Sequence, residues 1–160
     1  MKKQKIEEII GFLLFQNKKK LSVAESCTGG LISQKITSIA GSSNYFESGL
    51  VTYSDYSKIK LLKISEKIIK KYGAVSEEIA LLMAEKVRKL ANTDYGLGIT
   101  GIAGPSGETK LKPIGLVFIA LSNSKNNICK KYNFFGTRNI IRNKTYKSAL
   151  NMLKKDLLQK

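Results

Sequence analysis

The segment LSVAESCTGGLI, residues 21–32, decides the fold because it changes from a strand pattern to a helix pattern across a glycine turn. Its first four residues form a short run typical of a strand, and a second strand is predicted over 46–53. The apolar residues between these strands recur at helical spacing: Leu31, Ile32, Ile36 and Ile39. Two strands joined through a helix predict a parallel pair with a right-handed crossover.

In the rest of the chain, helices again precede, interrupt and follow the strands. Further strands are predicted over 95–100, 114–121 and 128–135. Further helices are predicted over 3–16, from a cap at Asp55, over 66–71, from Ser76, and over about 138–158 behind a cap at Thr137. This order predicts an α/β fold, a three-layer α/β/α sandwich on a mixed sheet of about five strands.

Length and composition predict one domain over 1–160, since 42% apolar residues can fill a single core. No apolar run approaches the roughly 20 residues that span a bilayer, and the first residues lack a secretory signal pattern. Only Cys27 and Cys129 are present, which is too few for a disulfide framework and fits a reducing compartment. We therefore expect a cytoplasmic protein that does not enter the membrane.

Histidine is absent from the sequence, and its absence excludes several kinds of site. A Ser-His-Asp triad, a Cys-His pair, an HExxH zinc site and a 2-His-1-carboxylate iron site each need it. Two cysteines alone do not complete a tetrahedral zinc site. We expect neither a metal nor another cofactor.

The net charge of +16 arises from 28 basic and 12 acidic residues, and 25 of the basic residues are lysine. Proteins that read base edges rely strongly on arginine forks, and only three arginines are present. The charge therefore predicts a solvated basic surface with non-specific affinity for polyanions. A nucleic-acid-associated accessory protein without enzymatic activity remains the alternative function.

Two glycine-rich loops follow predicted strands. The motif AESCTGG occupies residues 24–30, and TGIAGPSG occupies residues 100–107. Backbone N–H groups at such turns attract anions, and two such loops at strand ends predict a shared crevice. No lysine follows Gly30, so the first loop is not a Walker motif.

The segment GSSNYFESGLVTYSDYSK, residues 41–58, supplies a serine, a tyrosine and a lysine that could act together. Serine needs a base to take its proton, and without histidine the candidates are lysine, tyrosine and carboxylates. Tyr53 at a strand end and Lys58 in the next helix are placed to face one crevice. These residue types are also common structural residues, so the pattern alone leaves both interpretations open.

The chain closely resembles the C-terminal domain of the competence and damage-inducible CinA family in motifs that occur in the family's order: AESCTGG, AGSS, GLVTYSDYSK, GAVSEEIA, TGIAGPSG, KPIG and GTRNIIR. The resemblance extends from about Ile6 to Leu157. Stand-alone family members are nicotinamide-nucleotide amidohydrolases of pyridine nucleotide salvage. The resemblance therefore implies hydrolysis of nicotinamide mononucleotide to nicotinate mononucleotide and ammonia.

The resemblance also implies roles for individual residues. Ser43 matches the family's nucleophile, and Tyr53 and Lys58 complete the catalytic set. The matched substrate-binding positions are Ser26, Thr28, Gly29, Gly30, Thr100, Gly101 and Arg138. Because GTR replaces the usual glycine-acid-arginine run, Arg142, one helical turn further on, stays the alternative to Arg138.

Several points stay open at the level of sequence. They are the proximal base, Tyr53 or Lys58; the preference among nicotinamide mononucleotide, its riboside and other amides; and whether the chain forms a homo-oligomer. A relative that has lost catalysis and acts as an interaction module is opposed only by the presence of the serine, tyrosine and lysine. The N-terminal domain of long family members has no counterpart in these motifs, so none of its functions is transferred.

Overall fold

The computed structural model describes residues 4–159, and its helices precede, interrupt and follow its strands, as the sequence predicts. The helices are α1 (Ile6–Gln16), α2 (Leu31–Thr37), α3 (Asp55–Leu62), α4 (Glu66–Tyr72), α5 (Glu77–Leu90) and α6 (Arg138–Leu158). The strands are β1 (Leu21–Glu25), β2 (Phe46–Val51), β3 (Tyr95–Gly101), β4 (Leu116–Ser122) and β5 (Asn127–Asn133). A short 3-10 helix, Ser42–Asn44, precedes β2.

The five strands form one mixed sheet in the order β2-β1-β3-β4-β5. Strand β1 is parallel to both β2 and β3, whereas β4 is antiparallel to β3 and to β5. The predicted α/β fold on a mixed five-stranded sheet is therefore confirmed. Since β2, β1 and β3 run in the same direction, the chain leaves all three at one edge of the sheet, which we call the carboxyl-end edge.

Alternation along β3 explains how helices cover both faces of the sheet. Leu97 and Ile99 face one side and join the apolar core that α1, α2 and α6 share. Gly96 and Gly98 face the other side, where α5 packs so closely that a Cβ on either glycine would collide with a main-chain carbonyl oxygen of that helix. Glycine at these two positions lets α5 rest directly on the strand.

Local differences from the predicted boundaries have identifiable causes. Ser54, rather than Asp55, caps α3: its Oγ accepts from Ser57 N, and Ser57 Oγ accepts from Ser54 N, both at 3.1 Å. Strand β2 ends at Val51, so Tyr53 lies beyond the strand. The caps at Ser76 and Thr137 are confirmed.

Helix α1 begins at Ile6, later than predicted, and the first predicted residue of that helix lies outside the described residues. Between residues 4 and 159, no helix combines the length and the apolar character needed to cross a membrane.

Candidate active site

A cleft of about 260 Å³ opens at the carboxyl-end edge of the sheet. It lies where β1 and β3 end and where the chain leaves β2 for α3. Residues from all three connections line it, together with one side chain of α6. The lining residues are Ser26, Cys27, Tyr53, Asp55, Lys58, Ala74, Val75, residues 100–104, Ser106, Gly107 and Arg138.

Lys58 is the buried cation of this cleft. The cap at Ser54 starts α3 so that Lys58 lies one turn inside the helix, and its side chain is only 1% exposed. Lys58 Nζ donates to Thr52 O at 3.0 Å and lies 3.4 Å from Ser26 Oγ and 3.5 Å from Tyr53 O. Each of these acceptors is a neutral oxygen.

Burial lowers the pKa of the Lys58 ammonium below the ordinary lysine value of 10.5. The negative charge of Asp55, and that of Cys27 where its thiol is ionised, act in the opposite direction, but burial is the stronger influence. The neutral amine of Lys58 is therefore more accessible near neutral pH than that of a solvated lysine. A neutral amine can accept a proton from a neighbouring hydroxyl.

Ser26 is the hydroxyl next to that amine. It directly follows β1, its N–H donates to Ile99 O at 3.0 Å, and its side chain is 8% exposed. The neighbouring Cys27 also lines the cleft, but burial raises the pKa of its thiol to about 12. The thiol therefore stays protonated, and Ser26 Oγ is the better candidate nucleophile at this turn.

The glycine turn after Ser26 binds an internal carboxylate. Glu25 is fully buried, and its side chain accepts from Ile32 N at 3.0 Å, from Ser33 N at 2.8 Å and from Ser33 Oγ at 2.7 Å. The N–H groups that start α2 are thus occupied by the chain itself. The expectation that this turn attracts a substrate anion fails for these two amides because Glu25 occupies them.

Three predicted substrate-binding residues of this turn lie outside the cleft lining. Thr28 is fully buried, and Gly29 and Gly30 have left-handed φ angles of 57° and 93°. Both glycines give the turn its shape, since this backbone conformation is unfavourable for residues with a Cβ. All three residues belong to the turn that connects β1 to α2.

Arg138 and Tyr53 meet at the mouth of the cleft. Arg138 Nη2 donates to the Tyr53 hydroxyl at 2.9 Å, and Nη1 donates to Gly104 O at 2.7 Å. The phenol of Tyr53 is 57% exposed, so it faces the mouth, and the contact of Tyr53 with Lys58 is through its main-chain carbonyl. The predicted pairing of Tyr53 with Lys58 is therefore a main-chain contact in this structure.

Thr100 and Gly101 both line the cleft, as the sequence predicts for the second glycine-rich loop. Thr100 is buried, and its Oγ1 donates to Ala74 O at 2.7 Å, which ties the Gly-Ala-Val segment before α5 to the end of β3. A Cβ on Gly101 would lie 2.7 Å from Leu116 O. Both residues therefore shape the wall of the cleft.

Ser43 is placed away from these residues. It is exposed on the 3-10 helix that precedes β2, whereas Tyr53 and Lys58 follow β2. The six residues of β2 separate the two positions by about 20 Å at 3.3 Å per residue. Within one chain, the predicted grouping of Ser43 with Tyr53 and Lys58 is not formed, because β2 carries the chain across the whole sheet.

The structure distinguishes Arg138 from Arg142, the two arginines that the sequence offers for substrate binding. Arg138 lines the cleft, whereas Arg142 donates from Nε and Nη2 to Thr28 O at 3.1 and 2.6 Å. Arg142 thus holds the glycine turn through these two hydrogen bonds and does not line the cleft.

Among residues 4–159, no cluster of three or more His, Cys, Asp or Glu side chains is placed to hold a metal ion.

Several groups of the cleft could not be predicted from the sequence. Asp55, Cys27 and the carbonyl oxygens of Thr52 and Gly104 were not predicted to lie at the site. The position of Asp55 in the same motif as Lys58 was the available signal for that residue. Main-chain carbonyls leave no signal in residue type, so only the structure identifies them.

Comparisons with known proteins agree on one family. The family model of the CinA C-terminal domain matches residues 3–157. The chain is 50% identical over 155 residues to a CinA-like protein of Endomicrobium trichonymphae and 50% identical over 153 residues to one of Syntrophus aciditrophicus. The two matches include 97% and 95% of the present chain but only 36% of each relative. The chain therefore spans just over a third of the length of these relatives.

Solved structures show the same similarity. The competence/damage inducible protein CihA from Agrobacterium tumefaciens is 34% identical, with a TM-score of 0.90 over 98% of both chains. The competence damage-inducible protein A from Klebsiella pneumoniae is 27% identical, with a TM-score of 0.92 over 98% of this chain and 99% of that one.

Proposed function

Because the chain belongs to the CinA C-terminal domain family, we propose that its cleft hydrolyses nicotinamide mononucleotide to nicotinate mononucleotide and ammonia. One observation carries the proposal: Ser26 Oγ lies 3.4 Å from the buried Lys58 Nζ, whose pKa is lowered by burial. A serine beside a neutral amine is a nucleophile with its own base, which is what amide hydrolysis needs in a chain without histidine.

The proposed reaction is acyl transfer in two steps. Lys58 takes the proton of Ser26 Oγ as this oxygen attacks the carboxamide carbon. The C–N bond then breaks, and Lys58 delivers the proton to the departing nitrogen, which leaves as ammonia. Water adds to the acyl-serine, and release of the carboxylic acid restores Ser26. Lys58 serves as base in the first half of each step and as acid in the second half.

The nucleophile in this proposal is Ser26 rather than Ser43. Ser26 reaches Lys58 across the junction of two parallel strands, since Glu25 pairs with Val51 and the next residues of each strand enter the cleft. Ser43 lies at the other end of β2 and is exposed. The match of Ser43 to the family's motif is kept as the rival assignment that mutation decides.

The proposed substrate orientation follows from the two ends of the cleft. The carboxamide enters towards Ser26 and Lys58, and the phosphate lies at the mouth, where Arg138 is held by Tyr53 and Gly104. The planar donor fork of arginine suits a phosphate, and a guanidinium has more donors than the two used here. Arg138 is therefore proposed as the phosphate-binding residue.

The test is incubation of the purified chain with nicotinamide mononucleotide, with ammonia and nicotinate mononucleotide measured together. We expect both products in equal amounts, before and after treatment with EDTA. Loss of activity with EDTA that a divalent ion restores would contradict the metal-free reaction. A chain that releases no ammonia but binds DNA tightly at moderate salt would support the nucleic-acid alternative instead.

A further inference from the structure

Arg142 does not line the cleft described above, yet it contacts the turn that carries Ser26. Arg138 and Arg142 are four residues apart on α6 and so lie on one face of the helix. Arg138 enters the cleft mouth, whereas Arg142 donates two hydrogen bonds to a single acceptor, Thr28 O. This contact links positions 114 residues apart in the chain.

The Thr28–Gly29 peptide group is held through both of its polar atoms. Its oxygen accepts from Arg142 and also from Leu31 N at 3.2 Å. Its N–H, that of Gly29, donates to Ser26 O at 3.0 Å. Since the peptide group is planar and rigid, a rotation that breaks the contact with Arg142 also displaces the bond to Ser26.

The turn is shaped to receive the guanidinium. Gly29 has a φ of 57°, and a Cβ built on it would lie 3.3 Å from Arg142 Nη2. A larger residue at this position would therefore crowd the arginine as well as strain the backbone. Both features indicate that the turn and Arg142 are fitted to each other.

We propose that Arg142 is a positioning residue for Ser26, which it acts on through the Thr28–Gly29 peptide group. The inference rests on the proposed function only in taking Ser26 as the nucleophile. Arg142 touches neither the cleft nor Lys58, so its effect is on the geometry of attack. A misplacement of about 1 Å in a reacting group lowers a rate by about 100-fold.

The experiment compares Arg142→Ala and Arg142→Lys with Lys147→Ala, a change at an exposed lysine of the same helix. For Arg142→Ala we expect kcat for nicotinamide mononucleotide to fall about 100-fold with KM nearly unchanged. Arg142→Lys keeps the charge but lacks the planar fork, so we expect partial rescue at most. The pH dependence of kcat should keep its wild-type limb in all three, because Lys58 is untouched.

Two further measurements do not require turnover. Amide hydrogen exchange of residues 26–31 should accelerate in Arg142→Ala while that of β3 stays at the wild-type rate. Alkylation of Cys27, located by mass spectrometry, should also accelerate, since Cys27 is buried within the same turn.

Each outcome decides a separate question. A wild-type kcat in Arg142→Ala, a loss that appears in KM, or exchange that rises equally throughout the chain would overturn the positioning role. If the wild-type chain releases no ammonia, the proposed function falls. In that case, exchange and alkylation alone decide whether Arg142 holds the turn: local acceleration supports it and unchanged rates refute it.

Discussion

Two lysines at opposite edges of the same sheet have opposite surroundings. Lys19 precedes β1, and its Nζ pairs with Asp94 Oδ1 at 2.7 Å with a side chain 36% exposed. Lys58 follows β2, is 1% exposed, and contacts neutral oxygens. The cavity beside Lys19 has about 640 Å³ and the cleft beside Lys58 about 260 Å³.

The comparison shows that the groups in contact with a lysine, and not the volume of the cavity beside it, indicate whether its amine can take part in proton transfer. At Asp94, burial raises the pKa, but the Lys19 side chain and the Lys20 N–H outweigh it, so the pKa of this carboxyl is lowered. That edge therefore keeps a stable ion pair at neutral pH. At Lys58 the pKa falls without such a pair, and the smaller cavity holds the amine that can exchange protons.

The largest expected effect separates the two serines. Ser26→Ala should reduce hydrolysis of nicotinamide mononucleotide by about 10⁴-fold or more, because the attacking oxygen is removed. Ser43→Ala, at the other end of β2, should keep most of the wild-type rate. Steady-state ammonia release from both variants decides the matter. A dead Ser43→Ala beside an active Ser26→Ala would return the assignment to Ser43.

Lys58→Met should lower the rate by about 10²- to 10⁴-fold, the usual contribution of a positioned base. In the wild type, the rate should rise with pH through the folded-state pKa of Lys58, which lies below 10.5, because the neutral amine is the active form. Lys60→Met, on the exposed side of α3, is the control and should lose little. Retention of the wild-type rate at neutral pH by Lys58→Met would refute its role as base.

Arg138→Ala should raise KM for nicotinamide mononucleotide by about 10- to 100-fold, since hydrogen bonds to a charged group contribute about 1.5–3 kcal/mol. The saturated rate should change less. Hydrolysis of nicotinamide riboside, which lacks the phosphate, should be nearly insensitive to the change. An equal loss on both substrates would contradict a phosphate role for this residue.

The smallest expected effects concern stability and have opposite signs at the two lysines. Lys19→Met should lower the free energy of unfolding by about 0.5 kcal/mol, the worth of a partly exposed ion pair. Lys58→Met should raise it, because a lowered folded-state pKa means that the unfolded chain binds the proton more tightly.

The pH dependence of this gain provides the check. The gain from Lys58→Met should be largest below the folded-state pKa of Lys58 and should vanish as pH rises through 10.5, since the amine is neutral in both states above that value. Urea unfolding of both variants across this range measures it. A gain that grows with pH would show that the charge of Lys58 is stabilised in the folded chain.

The fold could be predicted because hydrophobic period and glycine turns define its elements locally. The candidate site could be predicted only in part. Ser43 is near Lys58 in sequence, but β2 lies between them and carries the chain across the sheet. Ser26 is 32 residues from Lys58 and yet adjacent, because β1 and β2 are parallel neighbours. Strand order, which no single segment encodes, decides which serine meets the lysine.

The arrangement of charges inside the turn between β1 and α2 could not be predicted from the sequence either. Glu25 reads as the polar end of a strand, but it is fully buried and binds the N–H groups that start α2. Only the folded chain brings that carboxylate back to the helix that follows it. The sequence therefore predicts an anion site at this turn, whereas in the structure the chain's own carboxylate occupies these N–H groups.

This internal capping by Glu25 has a consequence for inhibitor design. A compound that directs an anionic group at the start of α2 would compete with a carboxylate already held by three hydrogen bonds. A more promising scaffold would join an electrophile for the Ser26 oxygen to a phosphate mimic for Arg138. Such a molecule would span the cleft from its floor to its mouth and leave the helix start alone.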